Sequence, residues 1–161
     1  VIQVTVFTEK KFDLGGVLNQ NNMKQREPVS EIMTASVIFV NKDQHTLRDV
    51  KGHFNKEKIR HLPVTNGEKV VGIISKNDIM RLSFGSMFDN QENADEAVLD
   101  MLSIEQVMTQ NPTSVQSDTP IKEAAEILVK QGFNSLPVID DEKIVGIVTS
   151  TDIMKYLLDQ Y

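Results

Sequence analysis

The sequence predicts an α/β (α+β) fold assembled from one unit used twice, and three observations predict it. The stretch Leu62 to Met80, LPVTNGEKVVGIISKNDIM, returns as Leu136 to Met154, LPVIDDEKIVGIVTSTDIM, with 11 of 19 positions identical at a constant offset of 74. A match that dense, with no gap, marks a duplicated structural unit. Within each copy two apolar runs flank a short polar turn, which is a hairpin pattern. Around each hairpin the apolar spacing changes from that of strands to that of helices. Each copy therefore reads strand, helix, strand, hairpin turn, strand, helix, an arrangement that packs helices on a sheet.

Composition bounds the function. A chain of 161 residues is long enough for one well-packed domain or two halves sharing a core. The formal charge of −6 argues against a binder of nucleic-acid backbones, which needs a basic face. There is no Cys, so disulfides, thiolate metal sites and a cysteine nucleophile are excluded. No apolar run approaches the roughly 18 to 20 residues needed to span a bilayer. The opening VIQVTVFTEKKFDLGG lacks the basic n-region of a secretory signal, so the expected location is the cytoplasm.

Residues 1–27 belong to neither copy. Ile2, Val4 and Val6 alternate like a strand, but Gly15–Gly16 and the run Asn19 to Asn22 break the pattern. A poorly ordered or non-native tail is expected, with Met23 as a candidate natural start. The first repeat is placed at 28–83, an acidic helical linker at 84–102 and the second repeat at 103–161. Pro28 and Ser30 introduce a helical turn, SEIMT, matched by SIEQVMT from Ser103, where Ser103 and Gln106 have capping-box spacing. Short strands are expected at Val37 to Val40 and around Thr113 to Val115. A helix capped by Thr46 follows the first, with Leu47, Val50 and Phe54 on one face. A helix capped by Thr119, with Pro120 at its first position, follows the second, and Ile121, Ala124, Ala125 and Leu128 face inward. Gly132 is placed to end that helix in a left-handed conformation.

In the hairpins, Asn66–Gly67 predicts a type I′ turn, with Asp140–Asp141 in the same place in the second copy. In the linker, Ala94, Ala97, Val98 and Met101 have helical spacing opposite an acidic, solvated face. Met80, Met87, Met101 and Met108 read as packing residues or part of a dimer surface.

Catalytic patterns are scarce. His45, His53 and His61 form no H-E-x-x-H, and neither G-x-S-x-G nor a phosphate-binding glycine loop is present. Gly72 and Gly146 lie inside apolar strands, where a glycine permits close approach by a ligand or a neighbouring segment. The positions that bear on function are Ser75-x-x-Asp78 and Thr149-x-x-Asp152. Their spacing is also that of a helix cap, and Thr46-x-x-Asp49 has it with no partner in the second copy. Convergence favours more: a strand delivers a hydroxyl to a helix start suited to phosphate. A carboxylate one turn on suits a ribose diol, which is a pair of donors. Arg60 and His61 ahead of the first LPV strand would add cationic phosphate contacts.

These residues together resemble the cystathionine-β-synthase (CBS) domain, and the tandem looks like a Bateman module. The resemblance spans Pro28 to Gln160 and is carried by SEIMT and IEQVMT, the two LPV strands, KVVGIIS and KIVGIVT, and the closing NDI and TDI. It implies two β-α-β-β-α repeats packed with pseudo-twofold symmetry. It also implies a non-catalytic, regulatory module that requires no cofactor. The implied ligand is adenosine-containing (AMP, ADP, ATP or S-adenosylmethionine), and the implied assembly is a homodimer that signals to a protein target. Each implied cleft joins the S/T-x-x-D of one repeat to the first strand of the other. One would hold Arg60, His61, Ser75, Asn77 and Asp78 with Asn111, Pro112 and Thr113. The other would hold Asn134, Ser135, Thr149, Thr151 and Asp152 with Thr34, Val37 and Ile38. Because Asn134 and Ser135 stand where the first copy has Arg60 and His61, the first cleft is expected to prefer the more phosphorylated ligand.

Overall fold

A computed structural model describes residues 26–82 and 92–160. The expectations for residues 1–25 and for Met87 lie outside the described residues, as does the side chain of Ala94. Within the described residues the order of elements is β1 (Val40–Asn41), α1 (Leu47–Lys56), β2 (His61–Asn66), β3 (Lys69–Ser75) and α2 (Lys76–Leu82). There follow α3 (Glu92–Met101), α4 (Ile104–Val107), β4 (Thr109–Gln110), α5 (Ile121–Gln131), β5 (Ser135–Asp140), β6 (Lys143–Thr149) and α6 (Ser150–Leu158). A single 3₁₀ turn, Val29–Glu31, precedes them.

The two hairpins are copies of each other. β2 pairs antiparallel with β3 through Leu62↔Ile74, and β5 with β6 through Leu136↔Val148, with a register shift at the equivalent steps Val64/Thr65 and Val138/Ile139. They meet at Lys69↔Lys143, giving the order β1-β2-β3-β6-β5 with β4 also on β3. The first strands are shorter than expected. β1 begins only at Val40, and the region around Val115 makes one parallel bridge to Val138.

The turn chemistry is reversed from expectation. Asn66 pairs with Lys69, so the loop is Gly67–Glu68, and only Gly67 (φ 60°) has a positive φ. That is the pattern of a type II′ turn, which takes glycine first. Asp140 likewise pairs with Lys143, and both loop residues, Asp141 (φ 47°) and Glu142 (φ 65°), are left-handed. The type I′ turn is therefore in the second copy. Asn66 stays in the ladder, which moves the glycine to the first loop position.

Most caps follow the sequence. Thr46 and Asp49 form a capping box, as do Ser103 and Gln106, and Gly132 ends α5 at φ 68°. Thr119 is a correction: its hydroxyl accepts from the Gln116 N–H at 3.0 Å, and Pro120, in an extended conformation, holds the N-cap position.

The leading segments cross over. Thr34, in the leading segment of the first repeat, exchanges backbone bonds with Ile147 of the second at 2.9 and 3.1 Å. β4, in the leading segment of the second repeat, pairs with β3 of the first through Gly72↔Gln110. Val29 joins the core of Leu128, Leu136, Val138 and Val148, whereas Ile104 and Met108 join that of Leu47, Leu62, Val64 and Ile74. The strand glycines explain the fit. A Cβ on Gly72 would stand 2.2 Å from Met108 Sδ, and one on Gly146 would stand 2.3 Å from Met33 Sδ. Each repeat thus receives a methionine from the other repeat's leading segment, and the close approach allowed by each glycine is filled by protein. Glu27 belongs to the same crossover: its carbonyl accepts from the Ile121 N–H at 2.8 Å and its carboxylate accepts from the Tyr156 hydroxyl. That carboxylate pushes the phenol up to about 12.

The linker helix α3 is docked and not simply solvated. Among its described side chains Leu99, not Met101, is buried (2% against 82% exposed). Its acidic face meets α1, where Arg48 pairs with Glu96 and Asp100, and Lys51 pairs with Glu96 at 2.9 Å. Met108 packs in the core, while Met80 is 60% exposed.

Candidate functional site

The two S/T-x-x-D sequences build the same local structure. At the start of α2, Asp78 Oδ2 accepts from the Ser75 N–H at 2.8 Å and from the Ser75 hydroxyl at 2.6 Å, while the Asp78 N–H donates to Ser75 Oγ at 3.2 Å. At the start of α6, Asp152 Oδ2 accepts from Thr149 N–H at 2.9 Å and from its hydroxyl at 2.6 Å. Both are complete capping boxes, so the fold alone gives these residues a reason to be present. The box uses one carboxylate oxygen. Among the described residues Asp78 Oδ1 has Arg81 Nη1 at 3.8 Å, which leaves it capacity to accept a hydrogen bond.

A cavity of about 290 Å³ with Asp78 in its wall lies between the repeats. Its walls bring together His61, Ser75 and Asp78 from the first repeat and Asn111, Pro112 and Thr113 from the second. Ile73, Thr109, Gly132 and Phe133 complete it together with Asn134 and Ser135. Crossover pairing of β4 with β3 is what carries Asn111 to Thr113 across. Asn111 donates its N–H to the Val71 carbonyl at 3.0 Å and sits at φ 47°. A residue before proline ordinarily avoids that region, so the wall contains a locally strained turn.

A second cavity, of about 480 Å³, adjoins it on the pseudo-twofold axis. It is lined by Arg60, Lys76 and Asn77 from one side and by Asn134, Thr149, Ser150 and Thr151 from the other, with His61 and Ser75 bordering both cavities. The backbone here is symmetric: the Arg60 carbonyl accepts from the Lys76 N–H at 2.8 Å, and the Asn134 carbonyl from the Ser150 N–H at 3.1 Å. The charge is not symmetric, because both cations come from the first repeat.

The residues assigned to a second cleft are divided. Asn134, Thr149 and Thr151 face the central cavity, and Ser135, 8% exposed, lines the first. Asp152 borders a separate space of about 330 Å³ with Glu31, Ile32 and Tyr156. Thr34 is bound to Ile147, and Ile38 packs on the core of the first repeat. His61 is half-buried, and burial lowers its pKa from the usual histidine value. The nearby Asp78 carboxylate opposes that shift and the Arg60 guanidinium reinforces it. At neutral pH His61 is therefore an uncharged hydrogen-bonding ring, and the cationic role falls to Arg60 and Lys76. Lys76 was missed by the sequence reading; comparing the copies position by position, Lys76 against Ser150, would have found it.

Two crossed-over α/β units with polar cavities at their junction define a paired-repeat module with interdomain clefts. The chain belongs to the CBS domain family, whose sequence model matches residues 29–85 and 104–159. It is 27% identical over 139 residues to protein MJ1225 of Methanocaldococcus jannaschii, covering 84% of this chain and 49% of that protein. It is 30% identical to a CBS domain-containing protein of Dictyostelium discoideum, covering 81% and 90% of the two. A homoserine O-acetyltransferase of Methanohalobium evestigatum is 32% identical over a region that is 85% of this chain and 25% of the enzyme. The chain thus spans half or less of the length of two of these relatives. Among solved structures, the CBS domain pair of protein MJ0100 in complex with 5′-methylthioadenosine and S-adenosyl-L-methionine superposes with a TM-score of 0.68 at 27% identity, covering 84% of this chain and 98% of that one. Among the described residues no helix is long and apolar enough to cross a membrane.

Proposed function

We propose that this chain is a non-catalytic ligand-sensing module that binds an adenosine-containing small molecule at the junction of its two repeats. The observation that carries the reading is the cavity at Asp78. One carboxylate oxygen is fixed by the capping box, and the Asp78 side chain lines a space walled by both repeats. A ribose diol offers the two donors such an oxygen accepts, and the exposed Arg60 and Lys76 in the adjoining cavity suit phosphate. The adenosine derivatives bound by the CBS pair of MJ0100 support the same class of ligand. Because the walls come from different repeats, a ligand that favours one relative arrangement shifts that population, and a partner protein reads the shift.

We extend the proposal to a homodimer. Met80 and Met154, at equivalent positions on α2 and α6, are 60% and 55% exposed, next to Leu157 and Leu158. Sedimentation of wild type against Met80→Lys/Met154→Lys tests it, with a shift to monomer expected. A second reading, a regulatory part of a larger enzyme or transporter, is favoured by the match to only a quarter of the acetyltransferase. The ligand proposal itself is tested by thermal denaturation with AMP, ADP, ATP, S-adenosylmethionine and 5′-methylthioadenosine. A ligand at about 100 times its Kd adds about 2.7 kcal/mol, which for a chain of this size raises Tm by roughly 5–10 °C. No shift with any of them would favour a CBS-fold scaffold that binds partners without a nucleotide.

A further inference from the structure

We propose that an outer groove of the second repeat docks an extended, basic segment of a partner protein that also carries apolar side chains. The groove, of about 580 Å³, is walled by α5, residues 114–116 and the turn after β5. It shares no lining residue with the cavities at the junction of the repeats. Its deeper lining is apolar: Val115 is buried, and Ile127 and Ile139 are half-buried. Three exposed carboxylates, Glu123, Asp141 and Glu142, complete it, and among the described residues no lysine or arginine lines it. Lys69 pairs with Glu142 at 3.3 Å, whereas Glu123 and Asp141 make no ion pair among the described residues.

The first repeat folds without this surface. Ile127, Ile139 and Asp141 stand where it has His53, Thr65 and Gly67. Thr65 is 1% exposed, whereas the larger Ile139 is only half-buried. Asp49, the counterpart of Glu123, is held in a capping box with Thr46; Pro120 makes no side-chain cap bond, so Glu123 has no such task. The backbone adds a third feature. Val115 donates its N–H to the Pro137 carbonyl at 3.0 Å and accepts from the Ile139 N–H at 2.8 Å, so both its groups turn toward β5. Neighbouring residues of an extended chain turn opposite ways, which aims the backbone groups of exposed Ser114 outward at the edge of the sheet. A sheet edge beside an apolar pocket takes an added strand, with main-chain bonds to the edge and side chains in the pocket. Apolar side chains suit Ile127 and Ile139, and cations suit Glu123 and Asp141. Residues 111–113, in the wall of the Asp78 cavity, run directly into this edge, so the occupant holds the same stretch of chain.

Amide chemical-shift mapping on the full chain tests this. The probe is a short capped peptide of alternating lysine and valine, and the control is its glutamate–valine counterpart. The lysine peptide is expected to shift the amides of Ser114, Gln116, Ile127 and Ile139, with an affinity that falls as salt rises. Glu123→Gln/Asp141→Asn, at exposed positions, is expected to weaken it about fivefold. Ile139→Thr, which installs the first copy's residue, is expected to weaken it by about as much through lost apolar burial. No binding, equal binding of the glutamate peptide, shifts confined to other surfaces, or an affinity unchanged in both variants would overturn the proposal. Shifts at the same amides on diluting the protein alone would put a second copy in the groove and overturn the choice of partner. Neither peptide is a nucleotide, so the result stands apart from the test of the ligand at the junction.

Discussion

The crossover of the leading segments is most sharply tested at Gly72. Replacing it with alanine puts a methyl carbon 2.2 Å from Met108 Sδ, 2.9 Å from its Cγ and 3.2 Å from its Cβ. The sulfur could swing aside, but the Cβ and Cγ are tied to the segment between α4 and β4, and Met108 is only 8% exposed. Overpacking of this kind costs about 1–3 kcal/mol. For a chain of this size that lowers Tm by roughly 2–12 °C. Met108→Ala alone removes a buried side chain and costs about 2–5 kcal/mol. In the double variant the new methyl enters the space the methionine leaves. The combined loss should therefore fall short of the sum by about 1–3 kcal/mol, the signature of two residues in direct contact. Urea unfolding of the four proteins measures the cycle, provided the m-value is constant. An alanine at 72 within about 0.5 kcal/mol of wild type, or a strictly additive double variant, would refute the packing of one repeat's leading segment into the other. The Gly146/Met33 pair repeats the test in the opposite direction.

Three further predictions follow from single observations. His61 has its pKa lowered by burial, so the folded chain binds fewer protons there than the unfolded chain. Its stabilising contribution is complete above the unfolded value near 6.5 and is lost as pH falls from there toward the folded value. Urea midpoints of His61→Asn should accordingly fall less steeply than wild type on acidification below that value; parallel curves would contradict the assignment. On α3, Leu99→Ala should cost about 2–5 kcal/mol. Arg48→Ala should cost far less and lose its effect in 1 M salt, because Arg48, Glu96 and Asp100 are exposed; a large, salt-independent loss would show that the ion pairs hold the helix. Thr65 is 1% exposed and its hydroxyl meets no partner among the described residues, where the second copy has Ile139. Thr65→Val should therefore stabilise the chain by about 1 kcal/mol in thermal or urea unfolding, and a loss of stability would point to a hidden partner for that hydroxyl.

What the sequence revealed and what it hid divide along physical lines. Features set by neighbouring residues were legible: the hairpins, the caps at Thr46 and Ser103, and the glycine stop at 132. The capping function of Ser75–Asp78 was legible too, as the alternative the structure then bore out. Pairing at long range was not legible in the residues themselves and entered only through the family resemblance, which joined Ser75 and Asp78 to Asn111, Pro112 and Thr113. The leading segments carry similar sequences, and nothing in their periodicity shows that each belongs on the other repeat's strand; Gly72 and Gly146 hinted at close approach without naming the methionines. The turn types were misassigned because the choice depends on whether Asn66 stays in the ladder, a matter of register that one dipeptide does not fix. The site was legible as a set of residue types and less so as a grouping. Asn134 and Ser135 line the cavity of Asp78, and Arg60 faces Thr149 and Thr151, because both loops meet at the axis between the repeats.

The most direct test of the account is native mass spectrometry of the chain mixed with equal amounts of AMP, ADP, ATP and S-adenosylmethionine. The account predicts an adduct with the mass of one of these adenosine ligands, lost in an Asp78→Ala/Asp152→Ala variant shown by circular dichroism to be folded. A bare wild-type protein, or an adduct that survives unchanged in that variant, would contradict it.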